Sequence, residues 1–127
     1  MKKIFRLLEE NLKISSTILA SYLALIFWMS HQSVIPEEIS WMNVCSILHI
    51  LEYMALGFLA TPVFMKISRR YKSSAIVFST AYGISDELHQ HFIPGRTASL
   101  WDVLLDSLGA VFGVHMYVLL RNHFLEH

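Results

Sequence analysis

Between Ser85 and Asp106 the stretch SDELHQHFIPGRTASLWDVLLD carries seven ionisable side chains in 22 residues: Asp86, Glu87, His89, His91, Arg96, Asp102 and Asp106. Upstream, HILEY adds His49, Glu52 and Tyr53 at i, i+3 and i+4, on one face of a helix. Carboxylates beside histidines are the equipment of general acid/base chemistry. An arginine fork is suited to phosphate or carboxylate. Helix spacing limits which of these groups can cooperate. Glu87 and His89 are two apart and point roughly oppositely, so they cannot pair within one regular helix; Asp86 groups with His89 and Gln90, and Glu87 with Gln90 and His91. An acid/base dyad is therefore expected across helices, with Glu87, His89, His49 and Glu52 as its candidates. A metal version would recruit His49, Glu52, Glu87 and His89, but HExxH and Cys/His spacings are absent, so no metal ligand and no cofactor is assigned.

Each of these residues also has a purely structural alternative. Glu52 could pair with a neighbour and pin a helix bundle. His91 suits a headgroup-facing position. Ser99-Leu-Trp-Asp102 resembles a capping box opening a helix after the Pro94-Gly95 turn, which would leave Asp102 as a cap. Asp106, Gly109 and Gly113 continue from Asp102 as a small-and-polar stripe, and for the two glycines close helix packing is the expected role. Arg96 could be held by Asp86, Glu87 or Asp102 and still offer its remaining donors outward.

These residues sit in a chain of 127 residues that is 54% hydrophobic and 16% charged, with mean hydropathy +0.47. That composition points to the membrane class rather than to a soluble domain. Ten basic residues balance ten acidic ones, so no global basic field exists to draw nucleic acid, and none is expected as a partner. Cys45, the single cysteine, cannot form an internal disulfide and reads as packing. The sequence assigns no oligomeric state.

The elements that must position the polar groups are four apolar runs in an all-α, integral membrane bundle. We expect spans at about 14–30, 42–65, 74–92 and 100–120, preceded by a short cytoplasmic amphipathic arm, residues 1–13, all in one domain. At 1.5 Å per residue each approaches the length that a hydrocarbon core of about 30 Å requires. The third is the weakest by hydropathy, because its second half carries Asp86, Glu87, His89 and His91. The basic N-terminus lacks an A-x-A site and is read as retained; Leu125 to His127 could be a purification-tag remnant.

Charge then sets the orientation. Lys2, Lys3, Arg6 and Lys13 precede span one, Lys66, Arg69, Arg70 and Lys72 join spans two and three, and Arg121 follows span four. The other two connections hold only Arg96. The positive-inside rule places both termini in the cytoplasm. Ser30, His31 and Gln32, His49 and Glu52, Asp86 to His91, and Asp102 and Asp106 then converge on one extracytoplasmic site.

WMSHQS, HILEYMALGFL and SDELHQHFIPGRTASLWDVLLDSLGAVFG together resemble the VanZ-like membrane proteins. The resemblance covers most of the chain. It maps the family's second-span histidine and tyrosine onto His49 and Tyr53, and its D-E-x-x-Q, P-G-R and D-V blocks onto Asp86, Glu87, Gln90, Pro94, Gly95, Arg96, Asp102 and Val103. The position of Asp106 is commonly asparagine in that family. The resemblance implies a bacterial cytoplasmic membrane protein and an association with resistance to the lipoglycopeptide teicoplanin, which acts on envelope molecules outside the cytoplasm.

The favoured expectation is a site that binds or modifies a membrane lipid, or a phosphorylated or lipid-linked envelope molecule. Arg96 would meet its phosphate, and Gln90, Asp86, Tyr53, Asp102, Asp106 and Gln32 would complete the lining. The alternatives are a membrane-embedded acid/base hydrolase or transferase, using Glu87 or Glu52 with a histidine from another helix, and a structural or partner-binding module without chemistry. Topology is testable at once. In a Cys45→Ser background, cysteines at Ser33 and Ser99 should react with an impermeant thiol reagent on intact cells and one at Ser68 should not; labelling at Ser68 alone would invert the orientation.

Overall fold

The computed structural model of the chain describes residues 1–31, 42–94 and 99–126, with the backbone alone at 42–45. Five α-helices follow one another: α1 (Lys2–Glu10), α2 (Leu12–His31), α3 (Met42–Ile67), α4 (Tyr71–His91) and α5 (Leu100–Glu126). Among the described residues there is no strand. The expected amphipathic arm is α1. Asn11 separates it from α2, because its extended backbone ends α1 while its side-chain oxygen accepts the Ile14 N–H at 3.3 Å. The first long helix thus begins at Leu12, two residues before the expected boundary, and the last runs on to Glu126.

Close approach of α3 and α5 organises the bundle. A Cβ at Gly57 would meet the Ala110 backbone, one at Gly109 the Ile50 carbonyl, and one at Gly113 the Met54 carbonyl. Gly109 and Gly113 therefore lie on the α3 backbone, where no side chain fits. Around this seam Tyr53, Leu56, Ala60 and Val63 of α3 pack with Leu19 and Ile26 of α2, Ala75 of α4 and Val114 of α5. α1 closes the end nearest the termini: Phe5 is buried edge-on against Tyr117, their ring centroids 5.2 Å apart, and Arg121 donates to Glu9.

Three helices are long and apolar enough to cross a membrane, α2, the Ser46–Ile67 part of α3, and α5; the sequence reading had four. The correction concerns α4. Its 21 residues suffice in length, but its composition falls short, because its buried face carries Ser79, Asp86, Glu87 and Gln90. Its outer face is mainly apolar, with Val77, Ile84 and Leu88 exposed beside Ser85 and His91. The polarity is inverted relative to a soluble bundle: Asp106 is 0% exposed, whereas Leu119 is 70% and Trp101 60% exposed.

The glycine seam generates a prediction. Gly113→Val should lower the melting temperature in detergent, costing about 1–3 kcal/mol or more through overpacking against the Met54 carbonyl. Leu119→Ala, on the outer surface, should stay within about 0.5 kcal/mol of wild type. Equal effects would mean that the seam is not where the stability lies.

Candidate functional site

His49 lies about 10 Å along α3 from Met42 and Asp106 about 9 Å into α5, at 1.5 Å per residue. The α3–α5 seam begins one residue after the first and one turn after the second, at Ile50 and Gly109. Helices this close bring the two side chains together: His49 Nδ1 and Asp106 Oδ1 are 2.8 Å apart. With Nδ1–H donating to the carboxylate, the imidazole is held in one orientation and its Nε2 is left for other work. Asp106 is fully buried, and its second oxygen, Oδ2, has no hydrogen-bond partner among the described residues. Gly83 of α4 makes room beside it, since a Cβ there would stand 3.1 Å from Oδ2.

Glu87 reaches the pair from α4. Its Oε2 accepts the Ser99 N–H at 2.9 Å, while Ser99 Oγ accepts the Trp101 N–H at 3.2 Å. The anticipated SLWD cap is present in altered form. Ser99 caps α5, but the carboxylate that takes the Ser99 N–H is Glu87 of another helix rather than Asp102. A negative group at the α5 N-terminus also meets the positive end of that helix dipole. The other oxygen, Oε1, is buried without a partner among the described residues. Donor atoms of His49, Glu87 and Asp106 all lie within 4.8 Å of one another, so these three residues could hold a cation.

The remaining candidates fall around this trio. Tyr53, one turn beyond His49 on α3, is fully buried, with its hydroxyl unpartnered among the described residues and its ring against Gly83. Asp86 is buried on α4 and Asp102 half-buried in the first turn of α5. Glu52 is half-buried, and its backbone carbonyl accepts the Tyr22 hydroxyl at 2.8 Å. Gln90 donates to Ser30 Oγ at 3.1 Å, tying α4 to α2. His89 is turned to α2 as well, stacked on Phe27 at 4.6 Å and near His31 at 5.5 Å between ring centroids. The structure thus separates His89 from Glu87, as their spacing required. Arg96 and Gln32 lie outside the described residues.

Two contributors were not foreseen, the Ser99 backbone N–H and Gly83; Ser30, expected among the converging residues, is the partner of Gln90. Ser99 carried a cap signature, but nothing in its surroundings named Glu87. Gly83 stands one turn before Glu87 in AYGISDE, a small residue inside a polar helix face, and that is the signal that could have found it.

Glu87 also lines a groove of about 470 Å³, together with Ile84, Leu88 and His91 of α4 and Ser99, Leu100 and Val103 at the start of α5. The groove is mainly apolar and runs between two helices whose outer faces are apolar. It shares one residue, Glu87, with the polar trio.

A family model described as VanZ/LLP1 matches residues 3–121, from the start of α1 to near the end of α5. The chain belongs to the VanZ/LLP1 family. Its apolar helices fit a membrane protein. No curated protein and no solved structure matches the chain. In this VanZ/LLP1 chain the α3–α5 contact carries a buried ionisable pair, with the aspartate at position 106.

That pair can be measured. A double-mutant cycle of His49→Leu and Asp106→Leu, read as thermal or denaturant stability in detergent, should give a coupling of about 1–3 kcal/mol, since either change alone strands a buried partner. Asp106→Asn should be milder than Asp106→Leu, because the amide oxygen still accepts from Nδ1–H. A coupling near zero would remove the pair from the site.

Proposed function

We propose that α4 crosses the membrane with α2, α3 and α5, that both termini are cytoplasmic, and that the site opens to the extracytoplasmic side of a bacterial cytoplasmic membrane. The charge distribution supports this orientation, and the apolar outer face of α4 supports its crossing. Asp86, Glu87 and Gln90 are buried inside the bundle, and Val77, Ile84 and Leu88 would meet lipid.

In this setting the protein binds or modifies an envelope lipid or a lipid-linked cell-wall molecule. The observation that carries the reading is the groove between α4 and α5, whose apolar walls accommodate part of a hydrocarbon chain and whose polar end is Glu87 beside the His49–Asp106 pair. Its volume lies within the range of small-molecule sites, about 300–1,000 Å³. The sequence adds Arg96 in the adjoining connection, a cation suited to a lipid phosphate. An influence on teicoplanin susceptibility would follow from occupancy of such a site by an envelope molecule.

The His49–Asp106 contact favours a second reading, a membrane-embedded acid/base hydrolase or transferase. A carboxylate orienting an imidazole is the arrangement that lets the histidine move a proton at its other nitrogen. Here Glu87 or a bound headgroup would be the neighbour.

Binding of phosphatidylglycerol and of a polyprenyl phosphate to protein in nanodiscs tests the first reading. Val103→Trp, which fills the groove, should abolish binding; Arg96→Lys, which keeps charge but loses the planar fork, should weaken it by about 1–3 kcal/mol. Unchanged binding in both variants would overturn the lipid reading, and turnover of the lipid by wild type but not by His49→Gln would establish the second.

A further inference from the structure

We propose that His49, Glu87 and Asp106 form a three-ligand site for a divalent first-row cation, with zinc the best match. The inference concerns the site already described but does not rest on lipid binding, because it stands on side-chain geometry alone.

Each ligand comes from a different helix, α3, α4 and α5, and their donor atoms converge within 4.8 Å. Metal–ligand bonds of about 2.0–2.2 Å place tetrahedral donors roughly 3.3–3.5 Å apart. The three donor atoms here lie within 4.8 Å of one another, so a modest contraction brings them to that spacing.

The second, independent observation is a pair of orphaned oxygens. Each carboxylate is anchored by one oxygen, Glu87 Oε2 on the Ser99 N–H and Asp106 Oδ1 on His49. The other oxygen of each, Glu87 Oε1 and Asp106 Oδ2, is buried and has no partner among the described residues, in side chains that are 5% and 0% exposed. Buried polar atoms are almost always bonded, and two unpartnered acceptors in one small volume call for a donor or a cation. The Ser99 N–H is an outer contact of the kind that orients a ligating carboxylate, whereas His49, itself a ligand, would exchange its hydrogen bond to Asp106 for the cation. Gly83 keeps the flank of Asp106 Oδ2 clear of a side chain.

Charge points the same way. Ionised, Glu87 and Asp106 bring two negative charges into a buried place, and one protonated histidine offsets only half of them. A divalent cation bound by neutral His49 balances both. One imidazole nitrogen with two carboxylates and no thiolate excludes a soft-metal site and suits zinc, with manganese or ferrous iron as the nearest competitors. Three protein ligands leave at least one coordination position, and Glu87, shared with the groove, makes the groove the route to it. A water or a phosphate oxygen there would be polarised by the cation.

The test uses full-length protein with any affinity tag removed, stripped with chelator and titrated with zinc chloride by calorimetry, alongside melting curves with and without zinc. Wild type should bind one zinc per chain saturably and melt at a higher temperature when loaded. Glu87→Gln and Asp106→Asn, both of which keep hydrogen-bonding shape, should each weaken zinc at least tenfold while melting like the zinc-free wild type. His89→Gln should bind like wild type, which excludes the His31/His89 pair as the source. No saturable binding by wild type, full binding by a double Glu87→Gln, Asp106→Asn variant, or loss in His89→Gln would overturn the proposal. Lipid binding is measured on the zinc-free protein. Zinc binding without lipid binding then removes the lipid reading alone, and lipid binding without zinc removes the metal alone.

Discussion

The backbone contact between α3 and α5 sets the geometry of the rest. Gly57, Gly109 and Gly113 remove side chains at three successive crossing points, so each helix lies directly on carbonyls of the other. That contact fixes both the rotation and the axial register of the pair. His49 stands beside Ile50, which faces Gly109, and Asp106 lies one turn before that glycine. Their hydrogen bond follows from the same seam that packs Val114 and Tyr53 into the core. A side chain at the seam would separate the helices and pull the ionisable pair apart with them.

Around that contact the bundle inverts the usual distribution of polarity. Four acidic or amide side chains, Asp86, Glu87, Gln90 and Asp106, are buried, while large apolar residues cover the outside. In lipid this arrangement removes from hydrocarbon the groups that cost most there, and it gives each a chance of a partner on a neighbouring helix. α4 shows the consequence. It is not apolar enough along its length to count among the three apolar crossings, yet its two carboxylates and Gln90 lie on the buried face, in a helix packed against α3, α5 and α2, while Ser85 and His91 stand exposed.

Glu87 joins the parts of the site. One oxygen accepts an N–H at the beginning of α5, the carboxylate lies within 4.8 Å of the donor atoms of His49 and Asp106, and the residue lines the apolar groove. A residue with structural and chemical duties of this kind cannot be classified by its type alone. The cap holds the carboxylate in place, and a fixed carboxylate is what recognition of a cation or a headgroup requires.

Much of the architecture was legible in the sequence because it depends on local rules. Three of the four expected spans, the short N-terminal helix and the separation of Glu87 from His89 follow from the 3.6-residue repeat and the length of a helix that can span lipid. The stripe of Asp106, Gly109 and Gly113 identified a packing face. The VanZ/LLP1 membership was readable for the same reason, since its blocks are continuous in the chain. What the sequence left open was which helices meet and at what height. It offered His49, Glu52, Glu87 and His89 as one set; the tertiary structure assembled His49, Glu87 and Asp106 and sent His89 to Phe27 and His31 on α2. The reason is physical. Positions along one helix are related by a fixed rotation and rise, whereas the pairing of side chains on different helices depends on register and rotation set by contacts such as Gly113 against Met54.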